Sequence, residues 1–137
     1  HSFSRRQRQM CIRDRNLSRF RKHRFSKREL SRRNVSDSLK LLRVLLIPEF
    51  AERLEKTLCI NFTDEKAIYY SIRNSIAIID EKKDETPYLN LTSETWYDIL
   101  SRKLTLSQAE EEGLLEMSDS NEVKSFFACF DLDSLNS

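Results

Sequence analysis

The side chains in this chain that could do chemistry are few, and their spacing excludes most kinds of it. Both histidines, His1 and His23, lie before Asn34, so from Val35 onward neither a Ser-His nor a Cys-His pair can form. The His and Asp cluster that a zinc hydrolase needs cannot be assembled there either. The carboxylates Glu110-Glu111-Glu112 are adjacent, and adjacent residues on a helix point in different directions, so they cannot converge on one ion. They read as a solvated surface. Cys11, Cys59 and Cys129 make an odd count. Cys59 falls in a strand-like run and Cys129 beside Phe127 and Phe130, where free thiols serve as small apolar groups in a reducing compartment. No residue is expected to be catalytic, and no metal or cofactor is expected in the chain.

What the spacing does offer is an apolar wall. Val123, Phe126, Phe127 and Phe130 fall at i, i+3, i+4 and i+7, a wide stripe on one helix face. Phe126, Phe127 and Phe130, with Leu42, Leu45, Leu46, Trp96 and Leu100, are candidates to line a ligand cavity, which needs mostly apolar walls and few polar anchors. A filled core explains the same residues, and the two readings stay open. Tyr69, Tyr70 and Tyr97 are candidate polar handles.

The elements that must position this wall follow from periodicity. Ser36 or Asp37 can cap a helix carrying Leu39, Leu42 and Leu46, widened by Leu41, Val44, Leu45 and Ile47, and Pro48 stops or kinks it. A short turn over 49–55 follows. From Thr57 the period is two: Leu58, Ile60 and Phe62 point one way, and Ile68, Tyr70 and Ile72 repeat the pattern after a polar turn. Asn74-Ser75 sits where a two-residue hairpin turn belongs, and Ile76 and Ile78 open a third strand. These three strands predict an antiparallel meander. After the charged stretch 80–85 and Pro87, Tyr88 to Leu91 reads as a fourth strand with Leu89 and Leu91 inward. Thr92 or Ser93 caps a helix with Trp96, Ile99 and Leu100 on one face, and Thr105-Leu106-Ser107-Gln108 has capping-box form, in a helix that Gly113 ends. Leu114, Leu115 and Met117 predict a brief fifth strand, and Asp119 to Glu122 opens the last helix. Strands flanked by helices at both ends make an α+β fold.

Charge divides the chain. Residues 1–34 hold thirteen Lys or Arg against Asp14 and Glu29, leaving eleven basic and twenty acidic residues for the rest, so a head of about +11 precedes a body of about −9. The expected organisation is a basic, unstructured or spurious head over 1–34, one domain over 35–132 and a tail over 133–137. The head, with Phe20 and Phe25 among its arginines, is a rival candidate for binding a polyanion, although the acidic body would compete for it and nucleic acid is not the favoured partner. No stretch reads as an export signal and none is long enough to span a bilayer, so a cytoplasmic setting is the default expectation.

Two resemblances add to this. Met10-Cys11-Ile12-Arg13-Asp14-Arg15 resembles a translated sequencing adaptor. The ordered series Lys56 to Asp64, Tyr70 to Ser75, Leu89 to Trp96, Lys103 to Ala109 and Phe126 to Asp131 resembles the C-terminal domain of alkyl sulfatases, which is similar to the sterol carrier protein 2 family. The likeness runs from about Ser36 to Asp131. Asn74-Ser75, Glu112-Gly113 and Ser118-Asp119 stand where the family usually has Asn-Gly, Ser-Gly and Gly-Asp. It implies a five-stranded, mainly antiparallel sheet covered by helices on one face, enclosing an apolar tunnel. It further implies a non-catalytic domain holding the hydrophobic tail of a substrate, with hydrolysis in a zinc-dependent, metallo-β-lactamase-like domain upstream. The alternative is a structural or interaction module with a filled core.

Overall fold

The computed structural model describes residues 26–136, which form an α+β fold with helices against one face of a five-stranded sheet. Helix α1 spans Lys27–Ser31 and α2 spans Val35–Leu42, followed by a 3-10 turn, Arg43–Leu45, and a short α3, Pro48–Ala51. Strands β1 (Lys56–Phe62), β2 (Ala67–Arg73), β3 (Ile76–Asp80) and β4 (Tyr88–Leu91) come next. Helices α4 (Ser93–Leu100) and α5 (Leu106–Glu111), strand β5 (Leu115–Met117), helix α6 (Ser120–Phe127) and a 3-10 turn, Asp133–Leu135, complete the unit.

The sheet order is β3-β2-β1-β4-β5. The meander β1-β2-β3 is antiparallel as its pattern predicts, β4 joins β1 in parallel, and β5 returns antiparallel to β4. Leu58, Ile60, Phe62, Ile68, Tyr70, Ile72, Leu89 and Leu91 are all buried on the helix-covered side. In β3 that side is taken by Ala77 and Ile79, which sit opposite Ile72 and Tyr70. Ile76 and Ile78 therefore face outward.

Local chemistry sets most boundaries. Thr92 accepts from the Thr95 amide at the head of α4, and Thr105 with Gln108 completes both bonds of the capping box on α5. Gly113, at φ +72, turns the chain out of α5 in the left-handed region that suits glycine. Asp119 accepts from the Asn121 and Glu122 amides to start α6.

Three expectations need correction. The cap of α2 is Asn34, whose side chain takes the Asp37 amide at 2.8 Å, two residues before Ser36. The helix expected to reach Pro48 ends at Leu42, because Leu46 is drawn out into an antiparallel bridge with Phe130 and Ile47 is extended before proline, as prolines require. Pro48 opens α3 at a position where no amide is needed. Leu114 lies outside β5 and is exposed.

The packed unit is also longer than 35–132. Leu30 is buried, and Lys27 reaches Asp98 at 2.9 Å and Glu94 at 3.3 Å on α4. At the other end Leu135 and Ser134 are buried, with the Ser134 hydroxyl donating to the Ile99 carbonyl. The adaptor-like segment, Cys11, both histidines and the basic head up to Phe25 lie outside the described residues.

Asn74 and Ser75 both carry positive φ, 54° and 61°, as the tight hairpin turn between β2 and β3 demands. A serine there strains a conformation that glycine adopts freely. Ser75→Gly is expected to raise stability by about 0.5–1 kcal/mol, read as a higher urea midpoint with unchanged slope.

Candidate functional site

The eight candidate wall residues come from three stretches of chain, 42–46, 96–100 and 126–130, that converge over the sheet. Leu42 ends α2, Leu45 and Leu46 belong to the turn after it, Trp96 and Leu100 lie on α4, Phe126 and Phe127 on α6, and Phe130 just beyond α6. Seven are buried and Leu46 is half-buried. The turn and the chain after α6 are laced together: Ile47 N–H donates to the Cys129 carbonyl at 2.7 Å and Asp131 N–H to the Leu45 carbonyl at 2.8 Å.

The aromatic rings touch one another. Phe126 and Phe127 meet edge to face at 5.6 Å between centroids, Trp96 and Phe127 lie 5.8 Å apart, and Phe126 and Phe130 6.0 Å. Such spacings are those of packed aromatic pairs. Two sheet residues that periodicity placed inward, but not in the wall, complete the cluster: Phe62 lies edge-on to Trp96 at 6.0 Å and Tyr70 stacks on Phe130 at 6.0 Å. Their alternation with polar neighbours was the signal that could have added them.

The polar tips inside this layer already have partners. Tyr70 donates to the Leu39 carbonyl at 2.7 Å, and burial pushes its hydroxyl well above the usual tyrosine range. Trp96 Nε1 donates to Ser38 Oγ at 2.9 Å, which in turn donates to the Val35 carbonyl at 2.6 Å. Tyr97 donates to the Arg33 carbonyl at 3.3 Å, and burial raises its hydroxyl too. Tyr69 is on the other face of the sheet, opposite Cys59 in the ladder. Cys129 is buried, which pushes its thiol upward.

The outer face of the sheet carries a polar network beside the outward Ile76 and Ile78. Thr57 and Ser71 share a 2.7 Å hydrogen bond, Ser71 donates to Asp80 Oδ2 at 2.8 Å, and Arg73 and Lys83 both pair with Asp80. The Glu81 amide, then the Ser71 hydroxyl and the Lys83 ammonium, hold the Asp80 carboxyl down from 3.8 to about 2. Among the described residues no group of three His, Cys, Asp or Glu gathers to hold a metal, and no helix is long and apolar enough to cross a membrane.

No protein-family model matches the chain, and no curated protein matches it. Among solved structures it is similar to the stereoselective inverting sec-alkylsulfatase Pisa1 from Pseudomonas sp., with TM-score 0.64 and 25% identity, over 72% of this chain and 16% of that one. A double mutant of the same alkylsulfatase matches with TM-score 0.66 at the same identity and coverage. The ubiquinone synthesis protein UbiJ-SCP2 matches with TM-score 0.55 and 17% identity over 71% of this chain and 88% of its own, a likeness of fold. The chain thus spans about 16% of the alkylsulfatase's length.

Two expectations follow from the buried hydrogen bonds. Tyr70→Phe leaves the Leu39 carbonyl its bond from the Arg43 amide, so it loses one hydrogen bond, about 1 kcal/mol. Ser38→Ala strands the buried Trp96 N–H and costs more, about 1–3 kcal/mol. Urea unfolding followed by Trp96 fluorescence should rank them in that order. The Asp80 network sets a pH dependence. A carboxyl whose pKa is depressed in the fold stabilises it above its unfolded pKa and loses that contribution as pH falls through the folded value. Asp80→Asn should therefore be destabilised relative to wild type at pH 6, with the gap closing between about pH 4 and pH 2.

Proposed function

We propose that this chain, whose described residues fold as the sterol carrier protein 2-like domain of alkyl sulfatases, binds the alkyl tail of a long-chain molecule in the apolar layer between its sheet and its helices. The observation that supports this most is the likeness to a sec-alkylsulfatase over 72% of the chain at 25% identity. An alkylsulfatase acts on substrates with an apolar tail, and a domain whose interior is almost wholly apolar has the chemistry to accept one.

In a longer parent protein this domain would hold the tail while the sulfate ester is cleaved elsewhere. That cleavage would need the zinc chemistry of a separate upstream domain. The residues described here do not fit a zinc site: they include no histidine, and their acids and thiols do not cluster. No catalytic step is assigned to them.

One observation favours a second reading, a structural or interaction module with a filled core. Phe126, Phe127, Phe130, Trp96 and Tyr70 are in mutual contact, so a tail has to part rings that now touch. Displacement of a fluorescent fatty-acid probe from the full chain, by dodecyl sulfate and by dodecanol below micelle-forming concentrations, separates the two. Saturable displacement by both is expected for a tail-binding layer. A folded chain that binds no probe would overturn tail binding in favour of the filled module.

A further inference from the structure

The helix-covered side of the sheet is closed over β1, β2 and β4 but is incompletely covered at the edge strand β3. Ile79 lies opposite Tyr70 in the ladder and so points to the side of the buried rings, yet it is 41% exposed. The Arg43–Leu45 turn and α2 pack against this strand. Val44 of that turn is 48% exposed, and Leu41 is half-buried against the core. An apolar seam where the turn packs on β3 is thus open to solvent, on the same side of the sheet as Tyr70, which stacks on Phe130 and lies 6.1 Å from Phe126.

A cation stands at this seam. Arg43 is exposed, and among the described residues it makes no ion pair. Its backbone amide and the buried Tyr70 hydroxyl both donate to the Leu39 carbonyl. Lys40, three residues earlier and within α2, is a second exposed cation without an ion-pair partner among the described residues. Neighbouring apolar groups and an uncompensated guanidinium match the two ends of one kind of molecule. An alkyl chain takes the apolar surface, and the oxygens of a sulfate or carboxylate suit the planar fork of an arginine better than a neutral hydroxyl does. A neutral sterol or alcohol has no use for the cation, and a cationic amphiphile would be repelled by it.

We propose that the seam between the Arg43–Leu45 turn and β3 is the mouth of the tail-binding layer and that it selects anionic single-chain amphiphiles. Leu41, Val44 and Ile79 meet the alkyl chain and Arg43 the charged head. The proposal rests on the tail-binding reading above and adds to it a portal and a head-group preference.

Calorimetric titration of the full chain with dodecyl sulfate, dodecanoate and dodecanol, in wild type, Arg43→Gln and Val44→Asp, tests both parts. Wild type is expected to bind the two anions about fivefold more tightly than dodecanol, a preference that shrinks as salt is raised. Arg43→Gln should erase that preference and leave dodecanol binding unchanged. Val44→Asp should weaken all three ligands about tenfold or more, with the urea midpoint of each variant within experimental error of wild type. If no amphiphile binds wild type, the tail-binding reading falls and the portal with it. If all bind but Arg43→Gln changes none of them, or all alike, anion selection is overturned while tail binding stands. If Val44→Asp leaves every affinity unchanged, the mouth lies elsewhere.

Discussion

Two buried hydrogen bonds from ring side chains decide where helix α2 lies, and the rest of the helical layer follows from that. The Tyr70 hydroxyl, on β2, has no water to turn to and donates to the Leu39 carbonyl. The Trp96 N–H, on α4, is equally enclosed and donates to Ser38. An unmade hydrogen bond at such depth costs about 1–3 kcal/mol, so α2 is held at once over the sheet and beside α4. Its apolar residues Leu39 and Leu42 are then buried in the same core as Phe126, Phe127 and Phe130. The chain leaving α2 has to extend to reach the strand-like stretch after α6, which is why Leu46 bridges Phe130 and the helix does not run on to Pro48.

The layer so formed is apolar through its depth, with the tyrosine tips turned to backbone carbonyls and the Trp96 N–H to the Ser38 hydroxyl. On the tail-binding proposal that arrangement would couple stability to ligand binding. The rings that would line a tail are the rings that now fill the space, so a tail exchanges ring–ring contact for ring–chain contact. Dispersion is similar in the two cases, which makes exchange chemically reasonable for a flexible alkyl chain. The outer face of the sheet follows different physics. There Asp80 gathers Ser71, Arg73 and Lys83 into a network that holds β2 and β3 together through charge, without an apolar layer above it.

Much of the fold was legible in the residues. Alternation fixed the inward faces of β1, β2 and β4, because a period of two leaves each side chain only two directions. The caps at Thr92, Thr105 and Asp119 and the turns at Asn74-Ser75 and Gly113 were legible for a similar reason: each depends on a side chain within a few residues. The eight candidate residues were legible as apolar side chains that seek burial, and seven lie in the core cluster with Leu46 packed against it. What misled was length and context. Seven apolar residues between Leu39 and Ile47 looked like one helix, although a bridge to a residue more than eighty positions away ends it. Leu30 looked like part of a charged head, although α4 offers it a slot and its neighbour Lys27 two carboxylates.

The chain by itself determined its local alternatives: which stretches are helix or strand, where they start, which residues seek burial, and that no histidine stands after residue 34. These depend on backbone preference and on contacts within a turn or two. Tertiary structure alone decided the rest: the parallel pairing of β4 with β1, the partners of Tyr70 and Trp96, the extent of the packed unit from Leu30 to Leu135, and the exposed seam at Arg43. Each of these is a meeting of residues far apart in sequence, whose energy exists only once the chain has closed on itself and excluded water.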